Sequence, residues 1–119
     1  MSWKPVCATD AVEQHTLREF DVGGIPVLIA NLGDEFRAYP PMCPHMEEPL
    51  AESGVCKLDV MTCTKHLWQW NLRSGEGVSP PENSRQMLMY DIKQEDGQLL
   101  VNIESELEYD FDDEDDEED

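Results

Sequence analysis

At 119 residues and 39% hydrophobic content, the chain can build one modest core, but its apolar residues are too few and too evenly spread for a membrane protein. A formal net charge of −19 makes nucleic acid and anionic membrane surfaces poor partners and favours a partner with a basic docking face. The charge is uneven: twelve of the 27 acids lie between Glu104 and Asp119, where there is no Lys or Arg, and the body carries only about −7.

The opening residues, "MSWKPVCATD", lack the apolar stretch of a secretion signal, so a cytoplasmic setting with reduced thiols is expected. Four cysteines in such a chain are first suspected as metal ligands. Cys7 sits in an alternating N-terminal strand and is expected to be a buried, ordinary thiol. A short helical turn is expected around Ala8 to Gln14, opened by Thr9 or Asp10 as a cap, with His15 on the surface. "TLREFDV" (Thr16 to Val22) and "IPVLIANL" (Ile25 to Leu32) flank Gly23-Gly24, a hairpin signal because glycine accepts positive φ. The second of these is the longest apolar run, far short of the roughly 20 residues of a membrane-spanning helix. A turn at Gly33 to Glu35 leads into the strand "FRAYP".

From about Pro40 to Pro81 the chain changes character, becoming rich in Pro, Gly, Cys and Met with little strand periodicity except in "KLDVMTC". It reads as an excursion from a β body, and so long a loop is usually functional or held by something. The body resumes with "RQMLMYDIKQ" and "QLLVNIE" flanking the turn Glu95-Asp96-Gly97. Short strands and polar turns at this spacing indicate an all-β antiparallel sandwich or small barrel. The domain is placed at residues 1–103, its excursion at about 40–81 and the tail at 104–119. The tail reads as a solvated, self-repelling extension, with Leu107, Tyr109 and Phe111 available to pin it to the body or a partner.

Inside the excursion, "CPH" at Cys43 and His45 and "CTKH" at Cys63 and His66 are separated by 17 residues. Two Cys and two His can bind a tetrahedral zinc or hold a two-iron cluster. Zinc fingers usually group like ligands on each knuckle, whereas each loop here offers one of each. That mixing suits a [2Fe–2S] centre with both thiolates on one iron and both imidazoles on the other. Two ferric ions, two sulfides and two thiolates sum to zero charge, so one added electron leaves only −1. Reduction is then easier than for an all-cysteine cluster, and such centres span roughly −150 to +300 mV. A structural zinc site is the alternative, separable by colour.

The pattern C-x-H-x17-C-x2-H at Cys43, His45, Cys63 and His66 resembles the signature of the Rieske ferredoxin family. The resemblance covers almost the whole body, leaving out the acidic tail. It implies an antiparallel β-sandwich with an inserted cluster-binding subdomain, and those four residues as ligands. Pro80 and Pro81, in "GEGVSPPE", sit where the family has a third, proline-containing loop that shields the cluster. Pro44 would shape the first loop. Respiratory Rieske proteins carry an extra cysteine after each ligand pair, joined as a disulfide. Here "MEEPL" follows His45, Lys65 stands before His66, and Cys56 has no partner on the other loop. Those proteins also place a serine and a tyrosine after the second histidine, whose hydroxyls donate to cluster sulfurs. "LWQW" replaces them, which implies a low-potential ferredoxin.

The run "HLWQWNLRSGE" looks like the ferredoxin components of multicomponent di-iron monooxygenases that act on toluene-like aromatics or alkenes. The resemblance implies a monomer that is not itself an enzyme. It would carry one electron from an NADH-dependent flavin reductase to the hydroxylase component of an oxygenase. A ring-hydroxylating dioxygenase ferredoxin and the small subunit of an assimilatory nitrite reductase are the alternatives. Trp70 is expected beneath the cluster loops as core. Trp68 is read either as packing or as an apolar docking contact near the exposed tip. Lys65 would tune the cluster's charge, pair with Glu47 or Glu48, or be simply solvated.

Overall fold

The apolar run after the Gly-Gly turn becomes a strand buried on both faces, and the architecture is built around it. The computed structural model describes residues 3–43, 49–57, 59–65, 67–79, 81, 83, 86–104 and 106–107. Strands β1 (Trp3–Ala8), β10 (Gln98–Asn102) and β9 (Asp91–Glu95) form one antiparallel sheet, in the order β1-β10-β9. Strands β2 (Thr16–Val22), β3 (Ile25–Asn31) and β4 (Phe36–Tyr39) form a second, in the order β2-β3-β4. Successive side chains of a strand point to opposite faces. Val27 and Ile29 of β3 therefore pack with Leu99, Val101 and Tyr90 between these two sheets. Leu28 and Ala30 turn the other way, into a second core with Tyr39, Leu50, Met61, Trp70 and Leu72. Burial on both faces explains why "IPVLIANL" is continuously apolar where a half-exposed strand would alternate.

The two hairpin turns follow their sequence signals. Gly23 and Gly24 have φ of 63° and 92°, and Val22 pairs with Ile25 across them. Asp96 and Gly97, at 54° and 79°, close the β9–β10 hairpin in the same manner.

Four expectations are corrected. The segment after Ala8 forms only a 3-10 turn, Thr9–Ala11, whose N-cap is Ala8 and not Thr9 or Asp10 and makes no side-chain cap. The strand expected from Arg85 on begins, as β9, only at Asp91; Gln86 and Tyr90 before it make isolated bridges, and Arg85 itself lies outside the described residues. Cys7 is half-buried where full burial was expected. The excursion holds far more order than its sequence suggests. After a single helical turn, α1 (Leu50–Ser53), come β5 (Gly54–Lys57), β6 (Val60–Cys63), β7 (Trp68–Asn71) and β8 (Gly77–Ser79). These pair in sequence order as a four-stranded antiparallel sheet, so "KLDVMTC" is split by a turn between β5 and β6. Strands of three or four residues are too short to show a two-residue period.

Long-range contacts seat this small sheet on the body. The buried Tyr39 hydroxyl donates to the Leu72 carbonyl at 2.5 Å. Arg73 pairs with Asp34 (2.7 Å) and Glu35 after β3 and with Asp59 (2.9 Å) in the β5–β6 turn. Asp59 and then Asp34 hold the guanidinium pKa above its usual value, and Arg73 in turn holds the Asp34 carboxyl below its own. Tyr39→Phe leaves the Leu72 carbonyl without this partner, and we expect a loss of about 1–3 kcal/mol by urea unfolding. At the other end, the Leu107 N–H donates to the Tyr90 hydroxyl (2.8 Å) while its side chain packs against the core between the two larger sheets. Tyr109 and Phe111 lie outside the described residues.

Candidate functional site

Two cysteines from distant parts of the chain meet in one buried cluster, each at the neck of a loop. Cys43, four residues past β4, is fully buried. Beside it Met42 bridges to Pro49, and the Leu50 N–H donates to the Pro41 carbonyl at 2.8 Å. The first loop is thus pinched shut at its base. Pro44, His45, Glu47 and Glu48 fall within it, outside the described residues.

Cys63, the last residue of β6, is equally buried and lies between Gly54 and Trp68 in the sheet. The Leu67 N–H returns to the Cys63 carbonyl (2.7 Å) and closes the second loop around His66, which is also outside the described residues. Thr64 anchors that loop to α1, since its N–H (2.8 Å) and its hydroxyl (2.7 Å) both donate to the Ser53 carbonyl.

A third loop follows β8. Asn83 is buried, and its Nδ2 donates to the carbonyls of Gln69 (3.0 Å) and Ser79 (3.3 Å). It approaches so closely that a Cβ on Gly77 would overlap the Asn83 backbone, so only glycine fits there. Pro81 is exposed on this loop, and Pro80 lies outside the described residues.

Cys43 and Cys63 share their cluster with Tyr39, Leu50, Met61 and Trp70. None of the four cysteines forms a disulfide. Burial pushes the Cys7 thiol up, partly opposed by Arg18; burial and then Asp59 push up that of Cys56. Both shifts favour the neutral thiol over the thiolate. Cys56 also stands across from Met61, two residues along β5 from the partner of Cys63 and toward the Asp59 turn, away from the loops.

The surroundings fit a sulfide-bearing centre held between the two necks. The Trp70 indole N–H is buried and has no acceptor among the described residues, an arrangement that is costly unless something supplies one. The hydroxyls nearby are engaged elsewhere, Thr64 with Ser53 and Tyr39 with Leu72. Trp68 is half-buried and packs against the same cluster, its ring centroid 6.3 Å from that of Trp70. Lys65 and Thr64 are exposed, and Leu67 more so than any large apolar side chain noted at the surface.

Sequence reasoning missed Thr64, Asn83 and Leu67. Thr64 had a usable signal, a hydroxyl directly after a candidate ligand. Nothing local distinguishes Asn83 or Leu67, whose roles depend on neighbours brought by the fold.

Comparison with known proteins shows the family. The chain matches the Rieske [2Fe–2S] domain over residues 2–101. It is 51% identical over 116 residues to the methanesulfonate monooxygenase ferredoxin subunit of Methylosulfonomonas methylovora, covering 98% of this chain and 93% of that one. It is 32% identical over 99 residues to the ferredoxin component of the alkene monooxygenase system of Xanthobacter autotrophicus, with 83% and 80% covered. Among solved structures, it is similar to a chain in the complex of reduced oxygenase and oxidized ferredoxin of carbazole 1,9a-dioxygenase. That similarity has a TM-score of 0.75 at 29% identity, with 89% of this chain and 97% of the other covered.

Proposed function

We propose, from the premise that this chain belongs to the Rieske [2Fe–2S] domain family, that it delivers single electrons to the hydroxylase component of a multicomponent monooxygenase. It is an electron-transfer ferredoxin with a [2Fe–2S] cluster and not itself a catalytic component. We assign the cluster to Cys43, His45, Cys63 and His66. One observation carries that assignment: Cys43 and Cys63 are buried together at two loop necks, and each is followed two or three residues later by a histidine. The cluster supplies a reversible one-electron site. The chain supplies its environment, in which Leu50, Met61 and Trp70 keep water from the thiolate side.

Because the Thr64 and Tyr39 hydroxyls donate to backbone carbonyls, neither stabilises the reduced, more negative form. This supports a potential in the negative part of the roughly −150 to +300 mV range of such centres. We further propose an NADH-dependent flavin reductase as the electron donor. The ferredoxin would work as a cytoplasmic monomer, with residues 1–103 as the domain, about 40–81 as its cluster-binding part and 104–119 as the tail. Among the described residues, no helix is long and apolar enough to cross a membrane.

The likeness to a carbazole dioxygenase ferredoxin favours one second reading, delivery to a ring-hydroxylating dioxygenase. Reconstitution tests both. With reductase present, NADH should bleach the brown centre, and the reduced protein should support turnover by a monooxygenase hydroxylase more efficiently than by a dioxygenase. Failure of NADH to reduce the centre would sink the carrier role, and a preference for the dioxygenase would favour the second reading.

A further inference from the structure

Among the described residues, three large apolar side chains stand out at the surface: Val55 (52% exposed), Val78 (47%) and Leu67 (69%). Val55 and Val78 lie in strands of ordinary conformation, and scattered residues of that kind need no explanation. Leu67 differs in its backbone. Its φ is 62°, in the left-handed region. Among the described residues, the other two non-glycines with positive φ are His15 and Asp96, of types that tolerate that region, whereas a leucine there is an outlier.

The surrounding structure enforces this conformation. The Leu67 N–H is held by the Cys63 carbonyl, and the next residue, Trp68, is already paired with Cys63 in the sheet. A glycine would meet the same geometry without strain. The leucine gains nothing from burial, since its side chain stands in solvent while Trp68 turns inward onto the core. Backbone strain that the fold over-determines, carrying an exposed apolar group next to a proposed ligand, points to a contact made only in a complex.

We propose that Leu67 is the apolar anchor by which this ferredoxin seats the loop between β6 and β7 on the oxygenase component, in an apolar socket with a basic rim. This rests on the carrier role proposed above. The rim follows from charge, since the chain carries −19 and its body about −7 without the tail. The overall negative charge steers the encounter at long range, while the anchor sets how tightly the complex holds. Trp68, read from the sequence as a candidate for this role, packs inward against the core.

The test uses the holo ferredoxin with its reductase and oxygenase, comparing Leu67→Gly and Leu67→Asp with the wild type. Iron content and visible spectrum should be unchanged in both, and the thermal midpoint of Leu67→Gly should equal or exceed that of the wild type. The oxygenase KM for the ferredoxin should rise roughly tenfold in Leu67→Gly and further in Leu67→Asp, with kcat retained. The Leu67→Gly ratio should be the same at low and high salt, because an apolar contact is not screened. Wild-type KM values in both variants would overturn the proposal. So would loss of iron or a lowered thermal midpoint in Leu67→Gly, which would make Leu67 a structural residue. A wild-type protein that drives no oxygenase would overturn the carrier role instead.

Discussion

Replacing Cys63 with alanine should leave a colourless protein, with iron falling from two per chain to below about a tenth of that. The same is expected of Cys43→Ala and His45→Ala. A two-iron centre with two thiolates and two imidazoles has no spare protein ligand, so loss of one opens an iron to solvent. Cys56 cannot substitute, because its register places it toward the Asp59 turn, away from the loops. Among the described residues, backbone bonds from Leu50 to Pro41, Leu67 to Cys63 and Thr64 to Ser53 hold the loop necks. A centre bound only by the folded form stabilises those loops by mass action, and that contribution disappears with the ligand. The core between the two larger sheets contains neither Cys43 nor Cys63, so the far-UV signature of the body should persist. Iron and optical spectra therefore separate a lost centre from a lost fold, with Cys56→Ser as the control that retains both. Full iron in Cys63→Ala or His45→Ala would show the ligands to be misassigned.

What the sequence made legible depended on how local the physics was. The β2–β3 hairpin could be read because a Gly-Gly pair both permits and marks the turn, with strand-length apolar segments on either side. The Cys/His loops could be read because ligand chemistry needs particular residue types at close spacing. The four-stranded sheet was invisible for the opposite reason. Its strands are so short that pairing depends on the body beneath them, and the glycines and prolines that mark it look like loop composition. Arg73 reaches Asp34 and Glu35 from 39 and 38 residues away, and no pattern within the excursion announces that join. Leu67 is a third kind of case. Its sequence context suggests an ordinary apolar residue entering β7, and only the backbone conformation sets it apart.

Trp70→Ala should cost about 3–5 kcal/mol, a large part of the roughly 5–15 kcal/mol that stabilises a domain of this kind. Trp70 is fully buried and is the largest side chain to be so. It lies across from Met61 in the small sheet and shares a core with Leu28 of β3, so its ring joins the excursion to the body. Truncation leaves a cavity that the surroundings cannot close, because Tyr39 is fixed by its bond to Leu72 and β7 is paired on both edges. The loss should appear as a lower urea midpoint with little change in slope. Trp70→Phe is the discriminating companion. It keeps an aromatic ring in the gap and removes the buried N–H that has no acceptor among the described residues, so we expect a cost below about 2 kcal/mol. Cluster absorbance should be lost at lower urea than the far-UV signal in Trp70→Ala, since the cavity lies beside Cys43 and Cys63 while the other core is untouched. Coincident transitions in that variant would mean that the two cores unfold as one unit, with β3, buried on both faces, coupling them.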